Sequence, residues 1–397
     1  MTDKPAPLAG LKVVELARIL AGPWMGQVLA DLGADVIKIE SPAGDDTRQW
    51  GPPFVGHDRD AAYFHSCNRG KRSVTADFTN AQDLQMVLAL VRRADVLIEN
   101  FKVGGLSRFG LDYAAVHAIN PTLVYCSVTG FGQDGPYAER AGYDAIIQAM
   151  SGIMSMTGEA NGPPQKMGVA FADIFAGLYG VIGIQAALAQ RQTTGQGQHL
   201  DIALLDCMVG VLANQNLNYL VSGQVPGRLG SAHPNIVPYQ VFATADGDIM
   251  LAVGNDTQFV RLCELLNLPA LAHDPRYATN AARVEHRQPL VADLSTAFAH
   301  WHQQDILQTL ENHGVPAGPV NTLDDVFADP QVCHRQLQIE LPLENAPKAC
   351  VPGIRTPLVF SDSRLQLQRS SPALGQHNAE VRHEIAAASS SAERDDG

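Results

Sequence analysis

Residues 11–40 constrain the fold more strongly than any other part of this sequence. They contain two β-branched runs, VVEL and DVIKIE, separated by GPWMGQVLADLG, whose apolar residues have helical spacing. The pattern recurs where an amphipathic stretch at 80–93 precedes ADVLIEN, and where 113–119 precedes PTLVYCSVTGFG. Repeated alternation of this kind predicts an α/β fold with a Rossmann-like, doubly wound parallel sheet.

The chain of 397 residues is longer than one hydrophobic core usually serves, so we expect two domains. Two long apolar helices, predicted at 173–190 and 204–220, complete a large domain over residues 1–225. Short strands around Asp246-Gly247, followed by helices predicted at 258–266, 284–298 and 304–313, indicate a smaller α+β domain over residues 226–328. Residues 329–384 are expected to return to the large domain, and the low-complexity tail 385–397 to be disordered.

Composition and charge disfavour several classes of protein. The 28 basic and 41 acidic residues give a formal net charge of −13, which argues against a protein that coats nucleic acid or an anionic membrane. The N-terminus lacks a basic segment before an apolar one, and the longest uncharged apolar stretch, 174–190, is short for a membrane span. We therefore expect a cytoplasmic protein. Neither the dispersed cysteines nor the scattered histidines form a metal-binding pattern, so no metal is expected.

The start of the chain resembles a dinucleotide-binding unit but lacks its glycine fingerprint. Glu40 ends the second strand, where an acidic residue could bind a ribose hydroxyl, but the first turn reads AGPWMG without G-x-G. A nicotinamide-dependent oxidoreductase is therefore disfavoured. Thirteen of the 28 basic residues fall within the first 108 positions, and NRGKRS places three cations around Gly70. Such a turn either binds phosphates or is an ordinary solvated surface.

Asp173 lies at the start of the long apolar helix predicted at 173–190. An aspartate there is most often a helix cap. The same position also suits a carboxylate nucleophile, because the helix dipole and free backbone N–H groups favour the ionised form. The residue pattern alone leaves both interpretations open.

Several motifs together resemble a known family. They are LKVVELARILAGPWMGQVLADLGADVIKIESPAGDDTR, NRGKRSV, ADVLIENFKVG, GFGQDGPYAERAGYDAIIQAMSG, the Asp173 segment and GVPAGPVN. From about residue 8 to about residue 380 the chain is similar to the class III coenzyme A transferases, the superfamily of formyl-CoA:oxalate transferase that also contains α-methylacyl-CoA racemases. The resemblance implies a homodimer of interlocked rings with Asp173 as the nucleophile. By motif position it also implies that coenzyme A is bound by Arg18, Lys38, Asn68, Lys71, Asn100, Phe101, Arg108, Arg140 and Tyr143.

Departures from the family patterns narrow the activity that the resemblance implies. Leu20 stands where the formyl-CoA enzymes have a glutamine, and their run of consecutive glycines is absent, so oxalate is disfavoured as acceptor. Tyr143 stands where the racemases have a histidine base, and the ordinary tyrosine pKa near 10 suits that role poorly. A transferase is therefore favoured over a racemase-type isomerase or a non-catalytic acyl-CoA binding protein.

The sequence is thus interpreted as an acyl-CoA:carboxylate CoA-transferase working through an aspartyl anhydride and an aspartyl-CoA thioester. A coenzyme A thioester is its substrate, and no permanently bound cofactor is expected. Within the family the chain looks most like the branch that uses succinyl-CoA and short dicarboxylates. A dicarboxylate acceptor needs a cation for its second carboxylate, and Arg18 and Arg228 are the candidates.

Overall fold

The computed structural model describes residues 4–56, 60–344, 346 and 348–395. The chain divides into two compact units. The first comprises the chain up to Ile153, Lys166–Val221 and the chain from Gln331 onward, and the second comprises Met154–Gln165 and Ser222–Pro330. The predicted boundaries at 225/226 and 328/329 lie close to these. The main difference from the predicted boundaries is the segment Met154–Gln165. It belongs to the second unit, although the residues on either side of it in the sequence belong to the first.

The strands and helices of the described residues follow in chain order. The strands are β1 (Lys12–Glu15), β2 (Asp35–Glu40), β3 (Phe54–Val55), β4 (Asp60–Ala61), β5 (Arg72–Thr75), β6 (Val96–Glu99), β7 (Val124–Thr129), β8 (His199–Ala203), β9 (Tyr239–Ala243), β10 (Asp248–Ala252), β11 (Ala317–Pro319), β12 (Gln338–Pro342) and β13 (Cys350–Ile354). The helices are α1 (Ala21–Asp31), α2 (Ala62–Cys67), α3 (Ala81–Val91), α4 (Tyr113–Ile119), α5 (Asp144–Met150), α6 (Ile153–Met156), α7 (Phe171–Thr194), α8 (Leu204–Gly210), α9 (Asn214–Ser222), α10 (Asp256–Leu265), α11 (Pro269–Ala272), α12 (Asn280–Glu285), α13 (Arg287–Phe298), α14 (Gln303–Asn312), α15 (Leu323–Ala328), α16 (Pro330–His334) and α17 (Asn378–Asp395).

The first unit is built on a six-stranded sheet in the order β5-β2-β1-β6-β7-β8, with every neighbouring pair parallel. The predicted parallel α/β sheet is therefore confirmed. The chain progresses outward from β1 to β5 on one side and from β6 to β8 on the other, so its direction reverses between β1 and β6. In open sheets of this kind ligands bind outside the carboxyl ends of the strands at such a reversal.

Both faces of this sheet are covered, which explains its apolar strands. Alternate residues such as Val13 and Ile98 pack on one face with α1, α7 and α8. Their neighbours, such as Val14 and Leu97, pack on the other face with α3, α4 and α17. A sheet buried on both sides favours continuous β-branched runs over strict polar alternation. The β-branched runs that predict the sheet are therefore explained by the packing of helices on both of its faces.

Among the residues that the structure describes, one helix, α7, is long and apolar enough by length and composition to cross a membrane. A core helix passes the same test, and Ala176, Gly180 and Ile184 of α7 are buried in the first unit. Helix α7 packs closely on α1, where Gly177 and Gly180 face Trp24 and Met25.

The second unit has its own antiparallel sheet, in the order β11-β10-β9. Its core joins Phe242 and Leu251 of the sheet to Phe259, Leu294 and Leu310 of the helices. The two strands predicted around Asp246-Gly247 correspond to β9 and β10.

Two predicted helices are each divided in the structure. The stretch predicted at 204–220 forms α8 and α9, because the chain turns at Ala213, whose φ is 47°. The first residues of the stretch predicted at 284–298 are the end of α12, which stops at Glu285. The rest forms α13, which begins at Arg287. Pro289 explains the second break, since its ring has no N–H and collides with the carbonyl four residues earlier in a continuous helix.

The predicted disorder of the tail 385–397 is wrong for residues up to Asp395, because α17 extends that far. Residues 396 and 397 lie outside the described part of the chain. Val381 is fully buried, and Arg72 bonds the carboxylates of Glu380 and Glu384 at 2.9 and 2.8 Å. These contacts anchor the first turns of α17, and the run of alanines that follows has a high helix propensity.

A buried charge cluster lies beneath the carboxyl ends of β1 and β2. The Glu15 carboxylate accepts from Lys38 Nζ at 3.1 Å and from Lys71 Nζ at 3.0 Å, and Lys38 also pairs with Asp45 at 2.9 Å. Glu15, Lys38 and Lys71 are fully buried. Gly26 of α1 leaves room for the Glu15 carboxylate, because a Cβ at this position would overlap it.

We expect Gly26→Ala to lower the free energy of unfolding by about 3 kcal/mol, because the new methyl group displaces a buried, paired carboxylate. This loss exceeds the gain in helix propensity of about 1 kcal/mol. In a unit of this size it lowers the thermal midpoint by about 6 °C or more, as measured by circular dichroism. Gly183→Ala in α7 is the matched control, since its nearest new contact is Leu200 at 3.4 Å. An equal midpoint for both variants would contradict the packing argument.

Candidate active site

A cavity of about 790 Å³ opens at the carboxyl end of the six-stranded sheet, at the reversal between β1 and β6. It is formed by the turn after β1, the loop after β6, the glycine-rich segment after β7 and the start of α7. Among its lining residues are Arg18, Leu20, Asp46, Asn100, Phe101, Lys102, Arg108, Gly130, Arg140, Gly142, Tyr143, Asp144 and Asp173. The cavity therefore unites Asp173 with six of the nine residues predicted to bind coenzyme A.

Asp173 is the third residue of α7, and its side chain does not cap the helix. The N-cap is Ala170, which has no side-chain cap. The backbone N–H of Ala172 instead donates to Asp144 Oδ1 of α5, at 2.9 Å. The interpretation of Asp173 as a simple cap is therefore excluded, and its carboxylate faces the cavity.

Burial raises the pKa of Asp173 to about 7, and the nearby charge of Asp144 adds to this effect. The sequence predicts that the helix dipole and free N–H groups favour the ionised form of Asp173. In the structure the first-turn N–H of Ala172 is bonded to Asp144, and burial of Asp173 opposes its ionisation. Burial also raises the pKa of Tyr63, and the charge of Asp173 raises it further. Asp173 is thus poised near neutrality, in an environment from which water is partly removed.

The turn after β1 carries Arg18 to the edge of the cavity. Its backbone is strained at Ile19, whose φ is 72°. The Ile19 N–H donates to the Asp45 carboxylate, and Asn100 Oδ1 accepts from Arg18 N at 2.9 Å. Asn100 Nδ2 also donates to the Arg18 carbonyl, at 2.7 Å. Asn100 therefore lines the cavity, but the polar end of its side chain is used to join the loops after β1 and β6.

Aromatic and cationic groups form the outer part of the cavity. Arg140 lies over the Tyr137 ring at 3.9 Å, and Arg108 lies over the Phe109 ring at 4.5 Å. Tyr143 is 64% exposed, at the N-cap of α5. The guanidinium groups are orientated by these rings while their polar edges remain available to anionic groups.

Two glycines allow the wall of the cavity to form. Gly130 follows β7 and Gly142 precedes α5, and a Cβ on either would collide with the backbone of the other. This close approach fixes the path of the segment that carries Arg140, Tyr143 and Asp144.

Three of the predicted coenzyme A ligands are not at the cavity. Lys38, Asn68 and Lys71 are fully buried. Lys71 Nζ donates to Asn68 Oδ1 and to the Pro23 carbonyl, each at 2.8 Å, besides its contact with Glu15. Burial lowers the pKa of Lys38, but the charges of Glu15 and Asp45 outweigh it and the net shift is upward. Lys38 and Lys71 pair with the buried Glu15, and Asn68 accepts from Lys71, so none of the three has exposed surface in the single chain. Their predicted contact with coenzyme A remains a prediction.

Arg228, the second candidate for acceptor binding, belongs to the second unit. Its Nε donates to the Glu159 carbonyl at 3.3 Å, and its Nη1 donates to the Ser155 carbonyl at 3.2 Å. Part of its hydrogen-bonding capacity is therefore used within that unit. Arg18, whose Nη1 lies 3.1 Å from Asp46 Oδ2, lines the cavity itself.

Sequence reasoning missed Asp144. Its side chain connects three segments, because Gln148 Nε2 donates to Asp144 Oδ2 at 2.8 Å and Gln148 Oε1 accepts from Met167 N at 2.9 Å. The feature of the sequence that could have indicated Asp144 is its position as an acidic residue in the first turn of α5, directly after Tyr143. That signal is common to many helices, so only the fold reveals that Asp144 faces the start of α7.

Within the described part of the chain, no group of three or more His, Cys, Asp or Glu side chains is arranged to hold a metal ion. The charged residues that line the cavity are the cations Arg18, Lys102, Arg108 and Arg140 and the aspartates Asp46, Asp144 and Asp173. This arrangement suits an organic ligand with anionic groups at one end and a reactive centre at the other.

The sequence and the fold of this chain are similar to those of known proteins. The model of CoA-transferase family III matches residues 8–378. The chain is 55% identical over 393 residues to the succinate–glutarate CoA-transferase of Agrobacterium fabrum, an alignment covering 97% of this chain and 98% of that protein. It is 42% identical over 381 residues to human succinyl-CoA:glutarate CoA-transferase, covering 96% and 86%. A crystal structure of a CaiB/BaiF family protein from Brucella suis is 58% identical, with a TM-score of 0.86, covering 96% of this chain and all of that one. The chain therefore belongs to CoA-transferase family III, as its motifs predict.

Proposed function

We propose that this enzyme transfers coenzyme A from succinyl-CoA to a short dicarboxylate such as glutarate, through a covalent intermediate on Asp173. The observation that carries the proposal is the position of Asp173, half-buried in a cavity that is also lined by Arg18, Arg108 and Arg140. Relatives whose names specify succinyl-CoA and glutarate support the choice of substrates.

In the first half-reaction the ionised Asp173 carboxylate attacks the thioester carbonyl. The C–S bond breaks, an anhydride joins Asp173 to the succinyl group, and the coenzyme A thiolate leaves. The thiolate then attacks the Asp173 carbonyl, which releases succinate and forms an aspartyl-CoA thioester. The acceptor carboxylate reverses these steps and receives coenzyme A. The thioester energy is retained at each stage because each bond that breaks is replaced by another activated acyl bond.

The cavity fits this chemistry in two ways. Arg108 and Arg140 suit the phosphate groups of coenzyme A, since guanidinium groups form strong bonds with phosphate oxygens. The partial burial of Asp173 limits the access of water to an anhydride that water would hydrolyse. A pKa near 7 leaves a substantial fraction of Asp173 ionised at neutral pH, and protonation removes the nucleophile.

We further propose that the enzyme is a homodimer in the cytoplasm. Ile182 of α7 and Leu220 and Val221 of α9 are 61%, 73% and 82% exposed on the single chain. Large apolar residues at this exposure favour burial against a second copy. The mass of the protein in solution, measured by sedimentation equilibrium, distinguishes one chain from two.

Asp173→Asn should reduce transfer from succinyl-CoA to glutarate by about 10⁴-fold or more, because it removes the nucleophile. Coenzyme A affinity, measured by calorimetry, should change less than about threefold, because the amide is isosteric. Asp206→Asn is the matched control, as Asp206 is an acidic residue in the first turn of the neighbouring helix α8. Substantial turnover by the Asp173 variant would exclude the covalent mechanism.

The kcat/KM of the enzyme should rise with pH through about 7 and reach a plateau above it, because the raised pKa of Asp173 leaves it partly protonated below neutrality. Asp144→Asn should move this rise to lower pH, since it removes the negative charge that raises the pKa of Asp173. The asparagine oxygen can still accept from Ala172 N–H, so the start of α7 is retained. An unchanged pH profile in Asp144→Asn would show that the rise reports another group.

Arg18→Gln should lower kcat/KM for glutarate by roughly 10- to 100-fold, which is the contribution expected of a hydrogen bond to a charged group. Activity with the monoacid valerate, which has the same chain length and no second carboxylate, should stay within about twofold. Arg228→Gln tests the other candidate, and the exposed Arg92→Gln is the control. If glutarate and valerate react equally well and neither Arg18→Gln nor Arg228→Gln alters the preference, the dicarboxylate proposal fails while the role of Asp173 stands.

A further inference from the structure

A row of polar side chains crosses three neighbouring strands at the carboxyl end of the sheet. Glu99 of β6 lies opposite Ser127 of β7, and Ser127 lies opposite Asp201 of β8. Glu99 and Ser127 are 5% and 1% exposed. We call these three residues the polar row. None of them lines the cavity, so the chemistry proposed above gives them no function.

The two ends of the polar row hold the backbones of two cavity loops. Phe101 N–H donates to Glu99 Oε2 at 2.7 Å, and Phe101 itself lines the cavity. Gln133 N–H donates to Asp201 Oδ2 at 2.8 Å. Gln133 begins the segment that leads to Arg140. Each carboxylate thus fixes an amide in a loop that contributes to the cavity.

The centre of the polar row lies beside Glu99. Ser127 is the strand neighbour of Glu99, and its hydroxyl lowers the pKa of the Glu99 carboxylate. Ser127 Oγ also lies 2.8 Å from His199 Nε2, and the ring of Tyr113 stacks on His199 with centroids 4.9 Å apart. Glu99 therefore has a packed polar neighbour on one side and holds Phe101 N–H on the other.

Glu99 is an acceptor at neutral pH. Burial raises the pKa of Glu99 to about 6, against the opposing effect of its bonds from Ser127 and Phe101. A shift of this size leaves it mainly ionised at pH 7, and an ionised acceptor makes the stronger hydrogen bond.

We propose that Glu99 is a positioning residue: packed beside Ser127, it fixes Phe101 N–H and so shapes the loop that receives the coenzyme A thioester. Asp201 does the same for the segment that begins at Gln133. The identity of the ligand rests on the proposed function, whereas the ordering of the loop does not.

The test compares Glu99→Leu, Glu99→Gln and Ser127→Ala by amide hydrogen exchange of the free protein and by calorimetric binding of coenzyme A. Glu99→Leu should speed exchange over residues 100–105 and weaken coenzyme A binding about tenfold. Glu99→Gln should remain near wild type in both, because its oxygen accepts from Phe101 and its amide donates to Ser127, whose hydroxyl then turns to His199. Ser127→Ala should weaken binding about threefold, since Glu99 keeps its bond to Phe101 but loses its anchor.

Asn120→Ala is the matched control for the loss of a buried polar side chain. Asn120 Nδ2 donates to the carbonyls of Val91 and Ala94 at 3.0 and 2.9 Å, at the opposite end of the strands. It should lower the thermal midpoint without changing exchange over residues 100–105. Unchanged exchange there in both Glu99→Leu and Ser127→Ala would overturn the inference, as would a Glu99→Gln variant as impaired as Glu99→Leu. If the wild type does not bind coenzyme A, the proposed function fails, and the exchange data still decide whether Glu99 orders the loop.

Discussion

Glu15 is the buried carboxylate on which the carboxyl end of the sheet depends. It lies between the ammonium groups of Lys38 and Lys71, and Lys38 continues to Asp45. Asp45 in turn accepts the N–H of Ile19 in the strained turn after β1. A chain of charge pairs therefore extends from the core to the edge of the cavity. Removal of one member would leave its partner charged and buried, at a cost of about 3–5 kcal/mol.

Two groups of cations in the first unit differ in whether they are buried or line the cavity. Lys38 and Lys71 lie below the sheet edge, where a flexible ammonium can bond several acceptors around Glu15. Arg18, Arg108 and Arg140 lie on loops beyond the strand ends, where two of them rest on aromatic rings. Burial and partner geometry, rather than residue type, decide which cations remain available to a ligand.

The half-buried carboxylate of Asp173, which we propose as the nucleophile, is supported by its surroundings. Asp144 caps the start of α7 and raises the pKa of Asp173, so one residue affects both the position and the charge of the other. The close approach of Gly130 and Gly142 holds Asp144 against α7. The polar row provides a comparable constraint on the loop of Phe101. The cavity is thus shaped by residues around its lining as much as by the lining itself.

The sequence by itself determined the parallel α/β sheet, the family and Asp173 as the reactive candidate. Those features depend on local periodicity and on contiguous motifs, which are visible along one chain. It was wrong about α17, whose alanine-rich end is helical because Val381 and Glu384 anchor its first turns on the sheet. Only the tertiary structure decided that Lys71 is buried while Arg140 lines the cavity, and that Asp144 faces Asp173. These outcomes depend on which side chains meet across distant segments, and on how much water remains between them, which spacing along the chain does not encode.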